Sequence, residues 1–405
     1  MVNKLTKILL ALITCVAVVL GVLMFSYKEK ADLPTVTLTG DLYYDKNFIS
    51  WIEDNAIEDY FEPINPLMSA DYVIGNLVQT IGKEDKKAEE EGEPATVEFP
   101  NSYLEAIAQR YSDLGFNFFT CANAQSNRKG FEAIENTNKI LDSLKLGHTG
   151  INSTEEDMDK LSIAKVGDAR IAILSYTAIL YDNADYDEDD EHDFSVNMLL
   201  DEHDNFDSTH KRQLKNLVAE AKEKADIIVV AMNWGEEYTY EIDSKQMVLT
   251  NYLNSLGVDM IIGNHPHIAQ KADILTNAEG KKTYVFYSLG SLITARVAHA
   301  SESVDETGVN MAQTSAVVQF DLGKNEEGKT VMENVRVIPV VNHYEKGYKN
   351  FQLIPLSEYT SSMASKHAQH NYTSSFSPKY LWDQYHALFD ATGMLYEGKI
   401  NVEEE

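Results

Sequence analysis

The chain has 405 residues, with 64 acidic and 34 basic side chains and a formal charge of −30. A chain this acidic repels nucleic acid unless its basic residues cluster, and no Lys/Arg-rich block occurs beyond the flanks of the N-terminal apolar run, so nucleic acid is excluded as a partner. Of its two cysteines, Cys15 lies in that apolar run and Cys121 ends a second one, which excludes a disulfide framework.

Lys4 and Lys7 precede an uncharged run from Ile8 to Tyr27, closed by Lys28, Glu29 and Lys30. A bilayer-spanning helix takes about 20 apolar residues, and N-terminal lysines hold that end in the cytoplasm. A cleaved signal peptide has a shorter core and a small-residue cleavage site; Met24-Phe-Ser-Tyr27 offers none. The expectation is an uncleaved transmembrane anchor over residues 1–30, with the rest of the chain extracytoplasmic. Leu12-Ile-Thr-Cys15 only faintly matches a lipoprotein box, because Thr14 is a poor residue before the cysteine.

Beyond the anchor, apolar runs end in sharp polar turns. Thr35–Thr39 runs into Gly40-Asp41, Tyr72–Ile74 into Gly75-Asn76, Phe116–Cys121 into Ala122-Asn123, Ile227–Met232 into Asn233-Trp234-Gly235, and Tyr284–Tyr287 into Ser288-Leu-Gly290; Ile171–Ser175 is a further strand. Helical spacing of apolar residues fills 102–114, 132–146 and 207–225. Strands alternating with helices give an α/β layered fold. Two charged stretches, 83–94 and 182–193, read as solvated loops. The second has eight acids in twelve residues but lacks the central glycine of a calcium loop. After Tyr348 the pattern weakens, residues 361–377 are polar, and 378–394 reads as a last amphipathic helix. The expected organisation is an anchor over 1–30, a main domain over 31–345 and a C-terminal extension over 346–405.

The most informative stretch is Gly257–Gln270, where the apolar run Val258–Ile262 ends in Gly263-Asn-His-Pro-His267. In α/β proteins ligand groups collect at the carboxyl ends of strands, and Pro266 stiffens the turn. Two imidazoles held on such a turn share a metal ion or flank a phosphate, or else they simply bond to nearby backbone. Asp41 after a strand is a ligand candidate on one reading and a turn cap on the other. Trp234 with Tyr238 and Tyr240 offers a stacking platform on one reading, but core packing of at least Trp234 is the favoured one.

Six motifs in order carry a resemblance to a known family. They are Gly40-Asp41; Ala70-Asp-Tyr-Val-Ile-Gly-Asn-Leu77; Gly115-Phe-Asn-Phe-Phe-Thr-Cys-Ala-Asn123; Asn233-Trp-Gly-Glu-Glu-Tyr238; Gly263-Asn-His-Pro-His267; and Tyr287-Ser-Leu-Gly290. From about Thr35 to Asn342 the chain resembles the CapA proteins of poly-γ-glutamate capsule synthesis. The resemblance implies a layered α-β-β-α sandwich of metallophosphoesterase type. It also implies a role in making or exporting an anionic capsular polymer, with other membrane subunits of a synthesis complex and the polymer itself as partners.

The departures from the family pattern bear on chemistry. Val78 stands where the family has a glutamate, Gln125 and Asn233 where it has histidines, Ala124 for an asparagine and Arg128 for an aspartate. The ligand set implied for a metal is Asp41, His265 and His267, with Asn76, Asn123, Gln125, Arg128, Asn233 and Glu237 lining the cleft. Such a set holds one divalent ion (manganese, zinc or magnesium) or none, because a two-metal site needs more anionic and imidazole ligands. Arg128 either substitutes for a metal charge or is an exposed cation at a helix start. The resemblance leaves open whether the chain is an enzyme or a polymer-handling partner; a phosphoesterase with a one-metal site is the alternative.

Overall fold

The β-branched run Thr35–Leu42 is buried along nearly its whole length, as expected of a strand covered on both faces of a layered sheet. In the computed structural model this run is β1 (Thr35–Leu42). It is followed in parallel by β2 (Tyr72–Leu77), β3 (Phe118–Thr120) and β4 (Gly147–Thr149). The chain then builds a second sheet from β5 (Ser162–Val166), β6 (Ala169–Thr177), β7 (Ile227–Asn233), β8 (Met260–Asn264), β9 (Ala272–Thr276) and β10 (Lys282–Phe286), in the spatial order β5-β6-β7-β8-β10-β9. It returns as β11 (Ser291–Ile293), parallel to the end of β1. The strands β12 (Thr314–Lys324), β13 (Thr330–Glu345) and β14 (Lys349–Pro355) then complete the first sheet in the order β14-β13-β12-β1-β2-β3-β4.

The structure describes residues 33–82, 101–180, 193–200, 205–206, 208–296, 301 and 304–400. The apolar run 8–27 with Cys15, the charged stretch 83–94 and residues 182–192 of the acidic stretch lie outside them. Among the described residues no helix is long and apolar enough to cross a membrane.

Side chains two apart on a strand share a face, and that periodicity makes the layers. Ile171, Ile173, Ile227 and Val229 of the second sheet meet Val36, Leu38, Ile74 and Phe320 of the first in one inter-sheet core. Their neighbours Ala172, Leu174, Ile228 and Val230 turn outward onto Leu214, Leu217, Leu249 and Leu253, carried by the helices Ser208–Lys224 and Ser244–Ser255. On the outer face of the first sheet, Val73 and Phe119 pack with Ile134 and Leu141 of the helix Phe131–Ser143. Two sheets lie face to face with helices outside both. The stretch 102–114 forms a helix only over Asn101–Ala108.

Residues after 345 belong to the same compact unit as the rest from Thr35 onward. The 345/346 boundary expected from sequence falls within a hairpin, since Glu345 of β13 opposes Lys349 of β14. The terminal helix Pro378–Phe389 starts at Ser377, whose side chain accepts the Tyr380 N–H. Its Leu381, Tyr385 and Phe389 complete the inter-sheet core.

Burying one such side chain stabilises by about 1.5–3 kcal/mol, so three approach the total stability of a domain. A chain ending at Ser377 is expected to lose its cooperative thermal transition. A truncated chain that melts at the full-length temperature contradicts this packing.

Candidate functional site

The parallel strands β1, β2, β3, β7 and β8 deliver their carboxyl ends to one rim, and the polar turns singled out in the sequence meet there. Gly40 makes the junction possible: a Cβ on it would sit 2.0 Å from the Gly290 carbonyl oxygen, which accepts the Asp41 N–H at 3.0 Å. Asp41 follows with 1% of its surface exposed. A carboxylate so buried needs partners, and both sheets supply them. Asn76 Nδ2 donates to Asp41 Oδ1 at 2.7 Å. The His265 backbone N–H points to Oδ2 at 3.4 Å, and His267 Nδ1 lies 3.2 Å from Oδ2.

Three asparagines extend this contact across the rim. Asn123 Oδ1 accepts from Asn76 Nδ2 at 2.9 Å and from Asn233 Nδ2 at 3.1 Å. Asn233 Oδ1 in turn accepts the Ala124 N–H at 3.0 Å and the Thr177 hydroxyl at 3.1 Å. Asn76 Oδ1 accepts the Thr120 hydroxyl at 2.9 Å. Each amide oxygen is therefore already engaged inside the protein.

The histidine turn is conformationally costly. His265 has φ 98°, His267 has φ 59° and the neighbouring Tyr238 has φ 60°, a region that non-glycine residues avoid and that concentrates at functional sites. The Tyr238 N–H donates to the Pro266 carbonyl at 2.8 Å, which ties the two segments together. His267 Nδ1 also lies 3.1 Å from Ser291 Oγ, and its Nε2 is 3.7 Å from Glu237 Oε1. The rings of Tyr43 and Tyr238 flank it at 5.5 and 5.7 Å, and the His265 ring lies 6.0 Å away.

These surroundings separate the two imidazoles. Burial alone would lower His267, but hydrogen bonds to Asp41 and Glu237, together with their charges, outweigh it and raise it to about 9. Burial and the His267 charge push His265 down to about 4, against weaker opposition from Glu237 and Asp41. At neutral pH the site thus holds a cationic proton donor beside a neutral imidazole, a pairing suited to acid–base work or to holding an anion.

The sequence profile described as "Bacterial capsule synthesis protein PGA_cap" matches residues 35–296, which carry every residue of this rim. The chain belongs to the PGA_cap family. It is 25% identical over 302 residues to "Capsule biosynthesis protein CapA" of Bacillus anthracis, covering 74% of this chain and 66% of that protein. It is 25% identical over 328 residues to "PGA biosynthesis protein CapA" of Bacillus subtilis (strain 168), covering 76% of each. The solved structure of TT1561 of Thermus thermophilus overlaps 71% of this chain and 94% of its own, at 9% identity and a TM-score of 0.36, a likeness too slight to bear on the site.

Within this PGA_cap chain the rim gathers Asp41, Asn76, Asn123, Asn233, Glu237, His265 and His267. Gln125 and Arg128 both sit half-buried on the turn after β3, and among the described residues neither side chain makes a hydrogen bond or ion pair. Val78 is buried. Trp234 is fully buried and donates its indole N–H to the Tyr287 carbonyl at 2.8 Å, so it packs the core and offers no stacking platform. Sequence reasoning missed Tyr43, Ser291 and Arg296. The one signal for Arg296 was a lone arginine shortly after the Tyr287-Ser-Leu-Gly290 motif.

Among the described residues no three His, Cys, Asp and Glu side chains are disposed as a metal-ligand set. The amide oxygens of Asn76, Asn123 and Asn233 already accept hydrogen bonds from neighbouring side chains and backbone, and both His267 nitrogens face carboxylates. The residues present do not fit a two-metal centre.

The two histidine shifts predict opposite pH behaviour by linkage. His267 is raised above its unfolded value of about 6.5, so its stabilisation is full below that pH and is lost as pH rises through about 9. Thermal melts of His267→Gln should fall well below the parent at pH 6 and approach it at pH 10. His265 is depressed, so it opposes folding as pH falls from about 6.5 to about 4; His265→Gln should narrow the parent's loss of stability in that range. A pH-independent gap for both variants contradicts the assignment.

Proposed function

We propose that this chain is a membrane-anchored, extracytoplasmic PGA_cap protein that acts in the biosynthesis or export of an anionic capsular polymer of the poly-γ-glutamate type. In this reading its strand-end site handles the polymer or a synthesis subunit and does not act as a two-metal hydrolase. The observation that carries the reading is the closed hydrogen-bonded chain Asp41–Asn76–Asn123–Asn233, which consumes the oxygens a binuclear centre would need. The names of the two Bacillus relatives, a capsule and a PGA biosynthesis protein, supply the polymer class. The lysine-flanked apolar run 8–27 supports the anchor, and the two facing sheets with helices outside suit a metallophosphoesterase-like ancestry. The partners proposed are other membrane subunits and the polymer itself.

A one-metal phosphoesterase is the second reading, favoured by the 3.2 Å approach of His267 to Asp41. It requires His267 to give up its proton to free a nitrogen for a metal. The same contact raises the affinity for that proton, so any single divalent ion would be held weakly at neutral pH.

Deleting the gene in its own host should abolish surface anionic polymer while leaving growth intact; unchanged surface polymer contradicts the reading. Topology is tested separately. Protease added to intact protoplasts should remove the bulk of the chain beyond residue 30, and a fully protected chain rules out the extracytoplasmic placement.

A further inference from the structure

Arg296 follows β11 by three residues and projects from the lip of the strand-end site, exposed to solvent. It is nonetheless fixed. One terminal nitrogen donates to the Tyr238 hydroxyl and the other to the Tyr43 hydroxyl, each at 3.0 Å. The guanidinium carbon lies 4.8 Å from the centre of the Tyr43 ring. Its backbone carbonyl accepts Gln313 Nε2 at 2.5 Å. Tyr43 and Tyr238 are the same two rings that flank His267, so the arginine and the imidazole share their supports.

Among the described residues no carboxylate comes within ion-pair distance of Arg296. Asp45 acts on it only through space, and the oxygens of Asp45 are taken by the N–H groups of Asn47, Phe48 and Ala295. In a chain with a formal charge of −30, an oriented arginine with no carboxylate partner among the described residues, at the mouth of a site, is a feature that folding alone does not require. Of its five N–H donors, the tyrosines take two. Between Arg296 and His267 lies a recess of about 10 Å³, lined also by Tyr43, Tyr238, Ser291 and Thr294. That is room for about one oxygen-sized group, and the wall offers hydroxyls, an imidazole and a guanidinium.

We propose that Arg296, locked by Tyr43 and Tyr238, anchors one oxyanion group of the ligand, a carboxylate or a phosphate, with one oxygen seated in the recess beside His267. The planar fork of arginine matches two oxygens of such a group, and the two tyrosine hydrogen bonds remove most of the cost of ordering the side chain. The choice of a carboxylate-bearing polymer as one source rests on the reading of the chain as a capsule-polymer handler; the anion site itself rests on the geometry.

The test is calorimetric titration of the full-length chain in detergent with two probes, a γ-glutamyl trimer and inorganic phosphate. The parent should bind at least one of them. Arg296→Gln should weaken that binding about tenfold to a hundredfold, the worth of a charge-assisted hydrogen bond or two, with an unchanged melting temperature because the side chain is exposed. Arg296→Lys should fall between, keeping the charge without the fork. The Tyr43→Phe/Tyr238→Phe pair, which leaves the arginine in place but unlocked, should weaken binding severalfold. Preference for the trimer assigns a carboxylate, and preference for phosphate assigns a phosphoryl group. Equal binding by parent and Arg296→Gln, or no binding of either probe by the parent, overturns the proposal. If the host still requires the chain for its capsule while the parent binds neither probe, the anion site fails and the capsule reading stands. If binding depends on Arg296 but capsule does not depend on the chain, the reverse holds.

Discussion

A single buried carboxylate organises this protein. Asp41 ends β1 in the first sheet, yet two of its partners, the His265 N–H and the His267 imidazole, come from the turn after β8 in the second. Removing one partner from a buried charge typically costs about 3–5 kcal/mol, so the rim can neither open nor shift without a large penalty. The approach is possible because side chains are absent where backbones cross. A Cβ on Gly40 would meet the Gly290 carbonyl oxygen, and one on Gly263 would lie 1.8 Å from the Tyr287 carbonyl oxygen. Site and fold are therefore one construction: the contact that joins the sheets is also the contact that sets the charge of His267.

The residues at these rim positions follow a physical logic that no single position reveals. On the resemblance to the CapA pattern, Asn233 and Gln125 stand at histidine positions and Val78 at a glutamate position. Two of these positions serve different ends in the structure. Asn233 lies in an amide network with donor and acceptor both used, while Val78 is buried apolar surface. A neutral network of this kind needs no cation to balance it. The charge that remains at the rim is a His267 cation held between two carboxylates, with Arg296 beside it facing outward. The arrangement favours receiving an anionic group at the lip over activating water between two metals.

Much of this was readable from the chain alone. Buried strands announced themselves as β-branched runs such as Ile227–Met232, and the turns closing them named Asp41, Asn76, Asn123, Asn233, His265 and His267 as neighbours. For Gln125 and Arg128 the chain named the turn but not its outcome, because a sequence pattern fixes the order of residues on a turn and not the direction in which each side chain leaves it. Arg296 was invisible for a different reason. Its role depends on two tyrosine hydroxyls from segments about 250 and about 60 residues away in the chain, and polar partners recruited across a fold leave no local periodicity. The C-terminal region misled in the opposite sense. Residues 361–377 are polar enough to suggest an appendage, yet the helix beyond them supplies Leu381, Tyr385 and Phe389 to the inter-sheet core.

The most direct measurement of the central claim is anomalous diffraction from crystals of the protein grown with manganese at neutral pH. The structure predicts no pair of ions at the rim and at most one partially occupied position beside Asp41 and His267, with the Asn76–Asn123–Asn233 chain intact. Two fully occupied ions about 3.5–4 Å apart, coordinated by Asp41 and by opened asparagine side chains, would contradict it and make this protein a metal-dependent hydrolase.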